Sequence, residues 1–64
     1  MTTITIQQKC YARLLSANRL DIGRVPESDK VNVYAYAVKH YGYDITLVQP
    51  QYLEDVQIKI SQLV

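Results

Sequence analysis

The 64-residue sequence predicts an all-α domain, built as a small bundle of three helices, or of four if the segment before Pro50 forms one. Three stretches, over about residues 6–18, 29–41 and 51–63, carry apolar residues at the spacing of three and four that a helix face requires. Glycine and proline fall at their ends or in the connections. With 48% hydrophobic and 20% charged residues, the composition is that of a folded chain. We therefore expect one domain with a single core.

The first helix is predicted over residues 6–18. Its apolar residues recur every three or four positions, so this face is expected to lie in the core. The stripe consists of Ile6, Cys10, Leu14 and Ala17, widened by Tyr11 and Leu15. Thr3 or Thr5 is suited to cap the first turn, because a hydroxyl oxygen accepts from an unpaired backbone N–H. Residues 2–6 also alternate Thr and Ile, which allows a short strand there.

The connection over residues 19–27 is predicted to be an ordered loop. Gly23 and Pro26 interrupt helical structure there. Three apolar residues are expected to hold this loop against the core. They are Leu20, Ile22 and Val25.

The second helix is predicted over residues 29–41 and has the clearest signals of the chain. Ser28 is a suitable N-cap residue, and Gly42 can end the helix in the left-handed conformation. One apolar face consists of Val31, Tyr34, Ala35, Val38 and Tyr41, of which Tyr34 is expected in the core and Tyr41 is a candidate for a surface patch. Valine and tyrosine also favour strands, and the segment alternates in a way that a strand would. The two end signals and a length of about three turns favour the helix.

The opposite side of the second helix is apolar as well. It carries Val33, Tyr36, Ala37 and His40, with Tyr43 just beyond its end. A helix that is apolar on two sides is normally buried on two sides, and a chain this short has little protein to cover both. Cys10 is the only cysteine, so no disulfide within the chain can stabilise the core instead. We therefore expect this second face to be covered by another protein or by a second copy of the chain.

The connection over residues 43–49 allows two structures. Asp44 can cap a single helical turn, which would add the fourth helix. Alternatively, residues 45–48 can be extended and pair with residues 2–6, which would make the domain a small α+β fold. The helical bundle is the preferred prediction, and the α+β fold is its alternative.

The third helix is predicted over residues 51–63. Pro50 suits its first position, because the first turn of a helix leaves backbone N–H groups unpaired in any case. The core face consists of Leu53, Val56, Ile60 and Leu63. Val56, Ile58 and Ile60 also alternate with polar residues, so a strand is the second interpretation here.

The net charge is +1, but the charges are unevenly distributed. Residues 1–24 contain four basic residues and one acidic residue, a balance of +3, whereas residues 25–64 contain three basic and five acidic residues, a balance of −2. Such asymmetry can steer a protein contact or indicate nucleic-acid binding, although solvated charge on the outer faces of helices is its commoner meaning. The candidate phosphate contacts are Lys9, Arg13 and Arg24.

A helix-turn-helix that reads DNA matches the sequence poorly. Gly42 could form the turn, with the segment after it as the reading helix. However, Pro50 would break that helix, and residues 45–55 contain no lysine or arginine to neutralise phosphates. Nucleic-acid binding is therefore the alternative function.

The sequence offers no pattern for catalysis. Cys10 and His40 are the only residues of their types, and a Cys–His nucleophile pair would need both to meet in space with an orienting partner. Cys10 is instead expected to be a small buried residue. Glu54 and Asp55 would point about 100° apart on a helix, which is poor geometry for a paired acid and base. We expect no enzymatic activity, metal, cofactor or small-molecule substrate.

The leading hypothesis is a small protein-interaction module that acts through the second apolar face. The residues of this predicted interface are Val33, Tyr36, Ala37, His40 and Tyr43. Tyrosine is enriched in interfaces because its ring offers a large contact area at low entropic cost. The module would form a homodimer, or act as an adaptor or inhibitor that docks on a larger protein.

The sequence also predicts where such a module would act. No apolar run approaches the length of a membrane span, so a membrane is not an expected partner. The first residues lack the basic and hydrophobic regions of a signal peptide. Together with the absence of paired cysteines, this predicts a cytoplasmic protein.

Overall fold

The computed structural model describes residues 4–63 and shows three α-helices, with a short 3-10 helix in each connection. The α-helices are α1 (Ile6–Ser16), α2 (Glu27–Tyr41) and α3 (Pro50–Gln62), and the 3-10 helices are Ile22–Arg24 and Ile45–Leu47. No strand occurs among the described residues, and the predicted all-α bundle is confirmed.

The α+β alternative is wrong for the described part of the chain. The segment that would have formed its second strand contains the 3-10 helix instead, and Asp44 caps this turn by accepting from the N–H of Thr46 at 2.9 Å. Of the proposed partner strand, Ile6 already belongs to α1, while residues 2 and 3 lie outside the described range.

Local side-chain signals set the ends of α1. The Thr5 hydroxyl accepts from the N–H of Gln8 at 3.1 Å, and the Gln8 amide oxygen accepts from the N–H of Thr5 at 3.1 Å, which is a capping box. At the other end, Asn18 has a φ of 58° and donates its N–H to the carbonyl of Leu15 at 3.1 Å. This left-handed turn ends α1 earlier than predicted, because asparagine adopts the conformation more readily than most residues.

The second helix begins earlier than predicted. Its first residue is Glu27, and Pro26 occupies the N-cap position without a side-chain hydrogen bond, so the prediction that Ser28 caps this helix is wrong. Two partners hold the Glu27 carboxylate in place. Lys30 donates to it at 2.8 Å from within α2, and the Tyr52 hydroxyl donates to it at 2.6 Å from α3.

The second helix is the central one, since α1 and α3 each pack on α2 rather than on each other. Its fully buried residues are Val33, Tyr34, Ala35 and Ala37. The prediction that Val33 and Ala37 belong to a face left open for a partner is therefore wrong. One neighbouring helix covers each side of α2, so a single short chain can bury both. Tyr41, at the end of the predicted apolar stripe, is 44% exposed in the last turn.

The first helix turns a different face to the core than predicted. Its buried residues are Gln8, Ala12 and Leu15. Exposed instead are the four residues of the predicted stripe, Ile6, Cys10, Leu14 and Ala17. Gln8 links this face to α2, because its amide nitrogen donates to Asp29 at 2.8 Å and its amide oxygen accepts from Asn32 at 3.4 Å. Among the described residues no buried side-chain polar atom lacks a partner, which makes a buried glutamine acceptable here.

The third helix packs on the core through its predicted aliphatic stripe and through Tyr52. Its stripe is buried at Val56 and Leu63 and partly buried at Leu53 and Ile60. Tyr34 of α2 lies between Tyr43 and Tyr52, with 6.1 Å from its ring centroid to each of theirs. The two connections add Ile22, Val25 and Val48 to the core. The ordered loop predicted over residues 19–27 is confirmed by the burial of the first two.

Gly42 and Gly23 offer a matched test of how α2 ends. Gly42 has a φ of 68° and open space where a Cβ would lie, so an alanine there meets backbone strain alone. A Cβ at Gly23 would make an ordinary 3.5 Å contact with Asp21, and its φ lies outside the left-handed region. We expect Gly42→Ala to lower the free energy of unfolding by about 1 kcal/mol, or the melting temperature by about 4–8 °C. Gly23→Ala should leave stability unchanged or slightly higher. Equal effects in circular-dichroism melts would contradict the left-handed conformation of Gly42.

Alkaline pH should weaken the fold through its buried tyrosines. Burial raises the pKa of Tyr34 and of Tyr43, because removal from water disfavours the charged phenolate. Because the two phenols ionise at lower pH in the unfolded chain, their burial contributes fully to stability below pH about 10. That contribution is lost as pH rises through the folded-state pKa. We expect the free energy of unfolding, measured with urea, to fall above pH about 10. Tyr34→Phe keeps the ring and should reduce this fall, and an unchanged alkaline slope would contradict the assignment.

Candidate interaction surface

An exposed apolar strip runs along α1. Its residues, here called the α1 face, are Ile6, Cys10, Leu14 and Ala17. Ile6 is 80% exposed and Leu14 is 40% exposed. Side chains three and four positions apart lie on the same side of a helix, so the strip is continuous. It is exposed because α1 packs on α2, and neither of the other helices in residues 4–63 lies over its far side.

Arginines border the carboxyl end of the α1 face. Arg13 and Arg19 line the same shallow groove as three of its residues. Arg19 also lines a second groove together with Arg24 and the acidic Asp21, in the loop that follows α1. Within residues 4–63 none of these guanidinium groups forms an ion pair with a carboxylate, and the helix itself contains no acidic residue. The apolar strip is therefore bordered by positive charge that remains available for a partner.

A second surface cluster joins α1 to the end of α2. The ring centroid of Tyr36 lies 4.4 Å from that of His40 and 5.7 Å from that of Tyr41. The ammonium nitrogen of Lys9 lies 5.9 Å from the Tyr36 centroid, within the range of a cation–π contact. Tyr36 is half-buried and the other three residues are exposed. We call these four residues the aromatic cluster.

The five residues of the predicted interface do not share one surface. Tyr36 and His40 lie together in the aromatic cluster. Val33 and Ala37 belong to the core, and Tyr43 is half-buried against it. The structure therefore brings only the first pair together at the surface, and whether they bind a partner remains a prediction.

The candidate phosphate contacts divide between the two surfaces. Arg13 and Arg24 lie in neighbouring grooves that share Arg19, which was not among the predicted phosphate contacts. Lys9 is separate from them and lies over Tyr36. Asn18 could have predicted the position of Arg19, because asparagine often adopts a left-handed conformation. The turn at Asn18 brings Arg19 back beside the end of α1.

The perturbed carboxyl groups belong to structural contacts. Hydrogen bonds from Lys30 and then from Tyr52 lower the pKa of Glu27, and those from Thr46 lower the pKa of Asp44. Both carboxyl groups are therefore more acidic than usual, the opposite of the raised pKa that a general acid at neutral pH requires. Residues 4–63 contain no group of three or more His, Cys, Asp or Glu side chains placed to hold a metal ion. None of the helices in this part of the chain has the length and apolar content to cross a membrane.

No known protein family, no curated protein and no solved structure matches this chain. Its function has to be argued from its own surfaces, and the α1 face with its arginines is the best defined of these.

Cys10 provides a direct test of the rotation of α1. Its thiol is exposed, whereas the predicted core position would protect it until the protein unfolds. We expect the rate at which a thiol reagent modifies Cys10 in the native protein to lie within about tenfold of the rate in the urea-unfolded protein. The matched control is Ala12→Cys in a Cys10→Ser background, because Ala12 is fully buried on the opposite side of the helix. That thiol should react at least about a hundredfold more slowly in the native state. Protection of Cys10 in the native protein would contradict the observed rotation.

Proposed function

We propose that this chain is a non-enzymatic protein-interaction module that binds a partner through the α1 face. The observation that carries the proposal is the exposure of Ile6 and Leu14 within one continuous apolar strip. Single exposed apolar side chains are common on protein surfaces, but a contiguous strip rimmed by polar residues is typical of an interaction site.

The arginines beside the strip indicate the chemistry of the partner. Arg13 and Arg19 share a groove with Leu14, so a protein docked there would meet an apolar anchor and two positive charges together. Arginine is enriched among residues that dominate binding energy, and its guanidinium can hold a carboxylate through two parallel hydrogen bonds. The fitting partner therefore carries acidic side chains beside apolar ones. An adaptor or an inhibitor docking on a larger protein would use the surface in this way.

The proposal extends to the cellular compartment of the protein and to a second contact region. The exposed thiol of Cys10 in the binding strip fits a reducing compartment such as the cytoplasm, where it would stay free of disulfides. Tyr36 and His40 of the aromatic cluster offer a second contact region, because Lys9 of α1 connects the two surfaces.

Nucleic-acid binding is the second candidate function. It is favoured by the positions of Arg13, Arg19 and Arg24 along two adjoining grooves, where Asp21 is the one acidic lining residue and none of the arginines forms an ion pair within residues 4–63. Phosphate contacts would make affinity fall steeply with salt. Affinity for nucleic acid would also depend strongly on Arg24 and little on Leu14. Affinity for a protein partner is expected to show the reverse dependence.

The deciding experiment is affinity capture from cells that naturally make the protein. We expect a protein retained by the wild-type chain to be lost with Leu14→Gln, with at least about tenfold weaker binding, because an apolar anchor is removed. Leu47→Gln is the matched control, since Leu47 is 59% exposed and lies outside the α1 face. Both substitutions are at the surface and should change the free energy of unfolding by no more than about 0.5 kcal/mol.

Two results would contradict this proposal. Equal capture by Leu14→Gln and Leu47→Gln would exclude the α1 face as the binding surface. Capture of nucleic acid that is abolished by Arg24→Gln but not by Leu14→Gln would favour the second candidate function instead.

A further inference from the structure

We infer that the acidic partner of the α1 face is a second copy of this chain, which docks through the exposed side of α3. The inference rests on the function proposed above and identifies its partner. The surface in question, here called the α3 face, consists of Glu54, Asp55 and Ile58. The contact joins two different faces, so it is head-to-tail and not the symmetric homodimer contact through α2 that the sequence predicts.

Two α1 faces cannot pair favourably with each other. Arg13 and Arg19 line the groove beside this face, and α1 contains no acidic residue. A two-fold symmetric contact would place the arginines of both copies in one interface, with no carboxylate from α1 between them. Like charges placed across an interface oppose association. The partner surface must therefore supply acidic residues next to apolar ones.

The α3 face has that composition. Ile58 is 50% exposed, and the exposed Glu54 and Asp55 lie four and three positions before it, on the same side of the helix. Asp55 and Ile58 also line a groove between α2 and α3, in which Lys59 is the only basic lining residue. Within residues 4–63 neither carboxylate takes part in an ion pair. The α3 face thus matches the α1 face in its apolar anchor and opposes it in charge.

Both faces can be occupied at the same time. The groove beside the α1 face and the groove beside the α3 face share no lining residue. The two helices that carry them pack on α2 rather than on each other. One copy can therefore bind one neighbour through Leu14 and another through Ile58. A heterologous contact of this kind produces chains, or rings if the rotation closes.

The size of the contact indicates that it is weak. A standard protein interface buries about 800 Å² on each partner, which is roughly a fifth of the 4329 Å² surface of this chain. One helix face against another covers less than that. We therefore expect a dissociation constant in the micromolar range or above, and association has to be measured at concentrations up to about 1 mM.

Sedimentation equilibrium of the full chain and two charged variants tests the inference. We expect the average mass of the wild type to rise with concentration. Leu14→Glu places a negative charge opposite the acidic α3 face, and Ile58→Lys places a positive charge opposite the arginines, so each variant alone should associate at least about tenfold more weakly. An equimolar mixture should regain association, because the intact α3 face of the first variant meets the intact α1 face of the second. Leu47→Glu, outside both faces, should behave as the wild type.

Salt provides a measurement that needs no substitution. Because the two faces attract through opposite charges, association of the wild type should weaken as ionic strength rises from about 0.05 M to about 0.5 M. Association that strengthens with salt would overturn the charge argument.

Three outcomes would overturn the inference. They are a wild type that stays monomeric to about 1 mM, a mixture of folded variants that stays monomeric, and an Ile58→Lys variant that associates as the wild type does. The last would indicate a contact that does not use α3. A monomeric wild type that still captures another protein through Leu14 would leave the proposed function intact, so the two failures are distinguishable.

Discussion

The burial of α2 on two sides is the constraint on which the rest of the structure depends. Val33 and Ala37 lie on one side of the helix and Ala35 on the other, since residues two apart point in nearly opposite directions. All three are fully buried. One neighbouring helix cannot cover both sides, so α1 and α3 must each pack on α2. The bundle is therefore organised around α2, with little direct contact between α1 and α3.

Polar contacts across the bundle hold the outer helices in their observed rotations. Gln8 connects α1 to Asp29 and Asn32, and the Tyr52 hydroxyl connects α3 to Glu27. Each hydrogen bond contributes only about 1 kcal/mol net, whereas a buried polar group without a partner costs about 1–3 kcal/mol. With these groups turned inward, no helix in the described part of the chain covers the far sides of α1 and α3. The exposed apolar residues that carry both proposals lie on those far sides.

The surface residues were partly predictable. Arg13, Arg24, Tyr36 and His40 are accessible or partly accessible, as residues of a binding surface must be, because polar and amphipathic side chains keep contact with water in most settings. The apolar members of the predicted interface were not predictable in the same way. Spacing shows that residues share a side of a helix, but it does not show whether a neighbouring helix of the same chain covers that side. Because spacing lacks this information, the α1 face was wrongly predicted to lie in the core, and Val33 and Ala37 were wrongly predicted to lie at the surface.

The sequence by itself indicated the all-α class and the approximate bounds of the three α-helices. Thr5, Gly42 and Pro50 mark helix ends through contacts and backbone preferences that span only a few residues, so these signals act before any packing forms. Tertiary structure alone decided which sides of α1 and α2 are buried. Gln8 meets Asp29 and Asn32 across separations of 21 and 24 residues. Apolar periodicity carries no information about such distant polar partners, and they accompany a rotation of α1 that leaves Ile6 and Leu14 in solvent.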